Sequence, residues 1–196
     1  MEYLDVNKFH PKEISLKFLI LGKSSTGKSI FSQRINKNYQ EFTKFKDNYS
    51  QTVGFEFYTQ KIRIGNHIFR INFWDCCGQE LYESLIKNFY KNTVIFLVFY
   101  DSCDKDSFIK AKFWIEDIFK FNPKSFCVLI RNKYELISKD KIVTDEEALE
   151  YAYQKNIYFS HISSFQKYET GIEELIQFSI SQYYKNINDS NKVNLI

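Results

Sequence analysis

Gly22-Lys23-Ser24-Ser25-Thr26-Gly27-Lys28-Ser29 is the stretch that decides how this chain is read. It satisfies G-x-x-x-x-G-K-[ST] at every fixed position. A chance match to three fixed residues and one two-way choice in a chain of this length is well under about 1%. Immediately before it, Ser15 to Leu21 (SLKFLIL) is a short apolar run that breaks at Gly22, the pattern of a buried strand entering a loop. After it, Lys28 to about Asn38 continues as a polar helix. Between such a strand and helix, the backbone N–H groups of Gly22, Ser24, Ser25, Thr26 and Gly27, together with the helix N-terminus, surround a phosphate anion. Lys28 then reaches the β and γ phosphates, and Ser29 offers its hydroxyl to Mg²⁺, a cation that requires hard oxygen ligands. Ser25 and Thr26 are bulkier than the glycine often found in such loops, which restricts φ and is expected to lower affinity.

Working outward, Gln40 to Gln51 is irregular and reads as a surface loop. Phe55 to Ile64 and His67 to Trp74 alternate in places and are joined by Gly65-Asn66, so an antiparallel hairpin is expected. Val94 to Tyr100 and Phe126 to Ile130 are continuous apolar runs, as in strands covered on both faces. Ser107 to Phe121 sets Phe108, Ala111, Ile115, Ile118 and Phe119 at helical spacing, with Pro123 just beyond. Asp145 to Gln154 opens behind Thr144 as N-cap, and Ile172 to Tyr184 forms a last helix after Gly171. A short strand, Ile157 to Ser160, lies between those two helices. The alternation predicts an α/β fold: a mainly parallel central sheet with one antiparallel edge strand and helices on both faces.

Composition limits the partners. The chain has 196 residues, enough for one domain, with 44% hydrophobic and 26% charged residues, a balance that buries a full core. Its longest apolar run is seven residues, far short of the roughly 20 a membrane-spanning helix needs. A formal charge of +3 gives no broad nucleic-acid surface. The four cysteines, two of them adjacent at Cys76 and Cys77, have neither disulfide-framework nor zinc spacing and read as thiols in a reducing cytosol. Glu2 and Asp5, with no long apolar segment, lack the pattern of a secretory leader, and Glu2 excludes N-myristoylation. His10, His67 and His161 lie in no catalytic arrangement.

Over about Ser15 to Tyr184 the sequence resembles the Ras superfamily of small GTPases, and within it the Rab branch. Phe73-Trp74-Asp75-Cys76-Cys77-Gly78-Gln79-Glu80 is similar to the family's W-D-x-x-G-Q-E segment. Thr52-Val53-Gly54-Phe55-Glu56-Phe57 resembles the T-[IV]-G-x-[DE]-F favoured by Rabs. Leu97-Val98-Phe99-Tyr100-Asp101, followed by Ser107-Phe108 and Trp114, is similar to the Rab core, and Asn132-Lys133-Tyr134-Glu135 stands where the base-reading N-K-x-D belongs. The resemblance implies a P-loop NTPase fold over 15–185, with an N-terminal extension at 1–14 and a short tail at 186–196. It also implies GTP and GDP as ligands with Mg²⁺, and a switch that hydrolyses GTP slowly unaided. In that reading Ser29, Thr52 and Asp75 hold the metal, Asp75 through water. Gly78 gives its N–H to the γ phosphate and Gln79 orients the attacking water. Loss of the γ phosphate frees the loops around Thr52 and Gly78. Exchange factors, GTPase-activating proteins and effectors read that change, and the expected location is cytoplasmic or peripheral on the cytosolic face of endomembranes.

The pattern departs from the family at several places. Glu135 replaces the Asp that normally accepts two hydrogen bonds from guanine, and the extra methylene pushes the carboxylate outward, weakening guanine preference by about tenfold or more. His161-Ile162-Ser163-Ser164 stands at the S-A-K segment that closes over the base, with Ser163 and Ser164 as the candidates. Phe45 falls where the family stacks an aromatic on guanine and Tyr49 where it has a lid tyrosine, although the long span from Ser29 to Thr52 leaves Tyr39 or Phe42 as alternatives. Residues 191–196 hold no cysteine for prenylation, which leaves membrane association open. These departures keep a second reading, a nucleotide-locked scaffold that binds GTP or GDP without cycling. A third, an ATP-using P-loop enzyme, draws on Glu135 alone.

Overall fold

The computed structural model describes residues 12–35, 55–76, 83–133, 142–164 and 171–193. The motif's strand, β1 (Lys12–Gly22), is exposed at its start and wholly buried from Phe18 onward, because there it lies between two other strands and under helices on both faces. It starts three residues before the apolar run, with Lys12 and Glu13 exposed. The predicted hairpin forms from β2 (Phe55–Ile64) and β3 (His67–Cys76), paired antiparallel with Ile64 opposite His67. β2 is half-buried at every second residue, as an edge strand with one solvated face must be. β4 (Ile95–Asp101) and β5 (Phe126–Asn132) are buried at all seven positions each, which is why they read as unbroken apolar runs. β6 (Tyr158–His161) sits one residue later than expected. The order is β2-β3-β1-β4-β5-β6, with every pair parallel except β2–β3.

Among the described residues five α-helices accompany the sheet. α1 (Lys28–Ile35) follows the glycine loop; residues 36–38 of its expected extent lie outside the described residues, as does the loop expected at 40–51. α2 (Glu83–Ile86), continued by a 3₁₀ turn at Lys87–Phe89, has no counterpart in the sequence reading, because four residues are too few to display a helical period. α3 (Lys105–Phe121) starts two residues early because Asp104 caps it, accepting from the N–H groups of Asp106 and Ser107. α4 (Asp145–Gln154) is capped by Thr144, whose hydroxyl accepts from the Glu147 N–H. α5 (Ile172–Val193) runs nine residues past the expected end at Tyr184.

The core has two layers. Under α1 and α5 lie Phe18, Ile20, Phe31, Phe73, Phe99 and Ile176; under α3 and α4 lie Leu19, Leu21, Tyr100, Phe108, Ile115 and Ala148. Bulky rings fill the first layer edge to face, Phe31 against Phe99 at 5.0 Å and Phe18 against Phe73 at 5.1 Å. The chain's three alanines, Ala111, Ala148 and Ala152, are all buried where helices press on the second layer. Cys76 and Cys127 are buried and Cys103 is half-buried. His67 opens β3 with its ring 3.4 Å from the Tyr184 hydroxyl, and His161 ends β6 exposed. Because β1, β3, β4, β5 and β6 run parallel, their carboxyl ends, including Gly22, Asp75, Asp101 and Asn132, come to one edge of the sheet, where ligands of open α/β folds bind.

Candidate functional site

Two walls shape the glycine loop. At the end of β1, Gly22 takes φ 147°, and a Cβ on it would stand 2.6 Å from the carbonyl oxygen of Phe99. At the start of α1, Gly27 takes φ 88°, and a Cβ there would lie 2.2 Å from the side-chain amide nitrogen of Asn132. Both positions therefore require glycine for space as well as for conformation. Between them Ser25 adopts φ 66° despite its side chain, at a cost of about 1 to 2 kcal/mol. The loop holds that turn internally: the carbonyl of Lys23 accepts from the Thr26 hydroxyl and from the Lys28 ammonium, each at 2.9 Å. The first turn of α1 carries no acidic residue, so its N-terminal N–H groups and the buried Lys28 make an electropositive concavity.

Asp75 faces this concavity from β3, next to Ile20 of β1 and Glu56 of β2 in the sheet register. It is wholly buried, and neither carboxylate oxygen completes a hydrogen bond among the described residues. Burial pushes its pKa up to about 6; the Lys28 ammonium and the approaching Ser29 and Ser32 hydroxyls pull it back in part, and Glu56 pushes it further up. A carboxylate with both oxygens unmet beside a serine hydroxyl suits a hard divalent cation. Among the described residues no three His, Cys, Asp or Glu side chains converge on one point.

Across the loop, Asn132 joins it to the far strands. Its side-chain amide donates to the Thr26 carbonyl at 2.9 Å, and its Oδ1 accepts from the Ser164 N–H at 3.2 Å and hydroxyl at 2.9 Å. Arg34 of α1 closes the ring by donating to the Ser164 carbonyl at 3.1 Å. Ser163 is buried alongside. Lys133, at φ 60°, donates to Asp101 at 2.7 Å. Arg131, on the opposite face of β5, pairs with Asp145 in the first turn of α4 at 2.9 Å. One edge of the sheet thus gathers Gly22, Ser24, Ser25, Thr26, Gly27, Lys28, Ser29, Asp75, Asn132, Lys133, Ser163 and Ser164. Phe45, Thr52, Gly78, Gln79 and Glu135 lie outside the described residues, as do Tyr39, Phe42 and Tyr49. Sequence reading missed Arg34, Asp101 and the ion pair of Lys23 with Asp104, 3.1 Å apart. The available signal for Asp101 was a lone charge closing the otherwise uncharged strand β4.

Comparison with known proteins gives the family. Residues 17–185 match the model of the Ras family. The mouse (Mus musculus) Ras-related protein Rab-17 is 34% identical over 169 residues, covering 82% of this chain and 76% of its own length. Mouse Rab-21 is 32% identical, covering 82% of this chain and 69% of its own. The GTP-binding protein ypt4 of Schizosaccharomyces pombe is 31% identical over 153 residues, 76% of this chain; the chain spans 63% of the length of ypt4.

Two measurements test the geometry. Gly27→Ala drives a Cβ into Asn132 and strains the loop, and should lower stability by about 2 to 4 kcal/mol in thermal melts; an unchanged melt contradicts the close approach. Asp75 ionises near its ordinary value when unfolded but only near pH 6 when folded. The unfolded chain therefore binds fewer protons in between, and protein stripped of ligand and divalent ion loses stability as pH rises from about 4 to about 6. The loss, on the order of 3 kcal/mol at most, persists above that window. Asp75→Asn should flatten the slope and raise the melting point at pH 7; identical pH profiles for both proteins contradict the burial of an unmet carboxylate.

Proposed function

The chain belongs to the Ras family of small GTPases and is Rab-like, and on that premise we propose that it is a Mg²⁺-dependent molecular switch in vesicle trafficking. It binds GTP, hydrolyses it slowly to GDP and phosphate, and offers each state to different partners. The observation that carries this reading is Asp75, buried with both oxygens unmet, beside the ammonium and hydroxyl of the two residues that end the phosphate motif. A carboxylate buried beside the Lys28 ammonium, with no hydrogen bond to either oxygen among the described residues, suits a hard divalent ion.

Ser29, Thr52 and Asp75 are the residues that would hold Mg²⁺, which would supply positive charge to offset that of the nucleotide's phosphates. Lys28 binds the β and γ phosphates, the backbone N–H of Gly78 meets the γ phosphate, and Gln79 orients the attacking water. Asn132, Lys133, Glu135, Ser163 and Ser164 receive the guanine, and Phe45 stacks on it. The ring of bonds from Thr26 through Asn132 to Ser164 and Arg34 supports this division, because it ties the base side to the phosphate side by direct contact.

Partner recognition has support of its own. Phe57, 54% exposed, packs at 5.0 Å on Trp74, which packs at 5.1 Å on Phe89. Lys17 fixes the base of this cluster by donating to the carbonyls of Phe89 at 2.6 Å and Lys91 at 3.0 Å. The aromatic patch follows Thr52 by five residues and Gln79 by ten, so it adjoins in sequence the two segments that sense the γ phosphate. Exchange factors, GTPase-activating proteins and effectors are the partners this surface fits. Among the described residues no helix is long and apolar enough to cross a membrane, and the contact proposed with endomembranes is peripheral.

Gln79→Leu should retain nucleotide and slow single-turnover GTP hydrolysis by at least about tenfold. An unchanged rate contradicts the role of Gln79, and a wild-type chain that holds GTP without turnover is the locked scaffold instead.

A further inference from the structure

The residues of the phosphate and base-reading motifs are held in place by neighbours outside those two motifs, and Asp101 is one of them. β4 brings its single charge, at 9% exposure, to the edge where the loops meet. The two carboxylate oxygens are divided between two tasks. One accepts from the Cys103 N–H at 2.9 Å and turns the chain toward α3; the other accepts from the Lys133 ammonium at 2.7 Å. The next carbonyl, of Ser102, accepts from the N–H groups of Ile142 and Val143, both at 2.9 Å, on the approach to α4. Asp104, which caps α3, takes the ammonium of Lys23 from the phosphate loop at 3.1 Å. The corner Asp101–Asp104 thus touches the phosphate loop, the base side and the lead into α4.

Lys133 is fixed at both ends, by a left-handed backbone at φ 60° and by the Asp101 carboxylate. A free lysine samples many rotamers and loses that freedom on packing against a ligand, whereas one already anchored does not. We propose that Asp101 is a positioning residue for the purine: by holding the Lys133 ammonium it lays the lysine's four-carbon stem along the base side of the site and so sets how long nucleotide stays bound. This rests on the reading that Asn132 and Lys133 receive the base. An apolar stem with its charge drawn to one end packs well on the flat face of a purine. The anchoring bond is short and charge-assisted, and its acceptor is nearly excluded from water, so it is stronger than a surface ion pair.

The test is Asp101→Asn, which keeps an oxygen for the Cys103 N–H but turns its remaining amide hydrogens toward an ammonium that cannot accept them. GDP release, followed by displacement of a fluorescent analogue with Mg²⁺ present, should quicken about tenfold. Competition by tripolyphosphate, which has no base, should be unchanged, and the ligand-free melting point should stay within about 2 °C. Asp101→Glu keeps the charge and should release GDP within about threefold of wild type. Unchanged GDP release by Asp101→Asn overturns the proposal. Equal weakening toward tripolyphosphate, a large melting shift, or equally fast release from both variants also overturns it, because Asp101 would then act on the fold or the phosphate loop. A wild-type chain that takes up no guanine nucleotide at all refutes the functional reading itself, a result distinct from each of these.

Discussion

A 2.9 Å hydrogen bond from the Asn132 amide to the Thr26 carbonyl joins two segments 106 residues apart, across a gap that admits no Cβ on Gly27. The organisation of the sheet's carboxyl edge depends on this contact. It holds the phosphate loop between Asn132 of β5 and the Phe99 carbonyl beside Gly22. It also settles where Ser164 and Arg34 go, since Ser164 completes the acceptor side of Asn132 and Arg34 holds the Ser164 carbonyl. The two glycines at the ends of the loop are the local condition for the contact. The parallel register of β1, β4 and β5 is the global one.

Within that frame the electrostatics are deliberately incomplete. Lys28 and Asp75 are buried, α1 begins without an acidic side chain, and both Asp75 oxygens are unmet among the described residues. Each of these costs stability in the bare protein, and each is relieved by a polyanion with its cation. With total stabilities of about 5 to 15 kcal/mol, such costs are a sizeable share, and ligand binding is part of what holds this edge together. The same arrangement explains why Ser25 tolerates a left-handed backbone: the Lys23 carbonyl, gripped by Thr26 and Lys28, fixes the turn around it.

Sequence reading succeeded where the physical signal is local. The phosphate motif, the apolar runs of β4 and β5, the Gly65-Asn66 hairpin and the Thr144 cap each depend on residues within a few positions of one another. It failed where the signal is short or distant. α2 has too few residues for a period, and α5 outran its apolar stripe because polar residues continue a helix once packing has begun it. Arg34, Lys23 and Asp101 act on partners 130, 81 and 32 residues away, and apart from the lone charge that closes β4 nothing in their neighbourhood announces those contacts. The strand, loop and helix around the phosphate motif were therefore legible in the sequence, and the structure brings Asn132 and Lys133 to the same edge of the sheet. The bracing corner was legible only in that lone charge.

The most direct measurement is to denature the purified chain and identify by chromatography any nucleotide it releases. GDP or GTP is expected at about one per chain, because a loop that buries Lys28 against its own carbonyl, beside an Asp75 with no hydrogen bond among the described residues, retains its ligand through purification. Release of an adenine nucleotide would contradict the base assignment. A chain that carries no nucleotide, and takes up neither purine triphosphate at millimolar concentration with magnesium, would contradict the account as a whole.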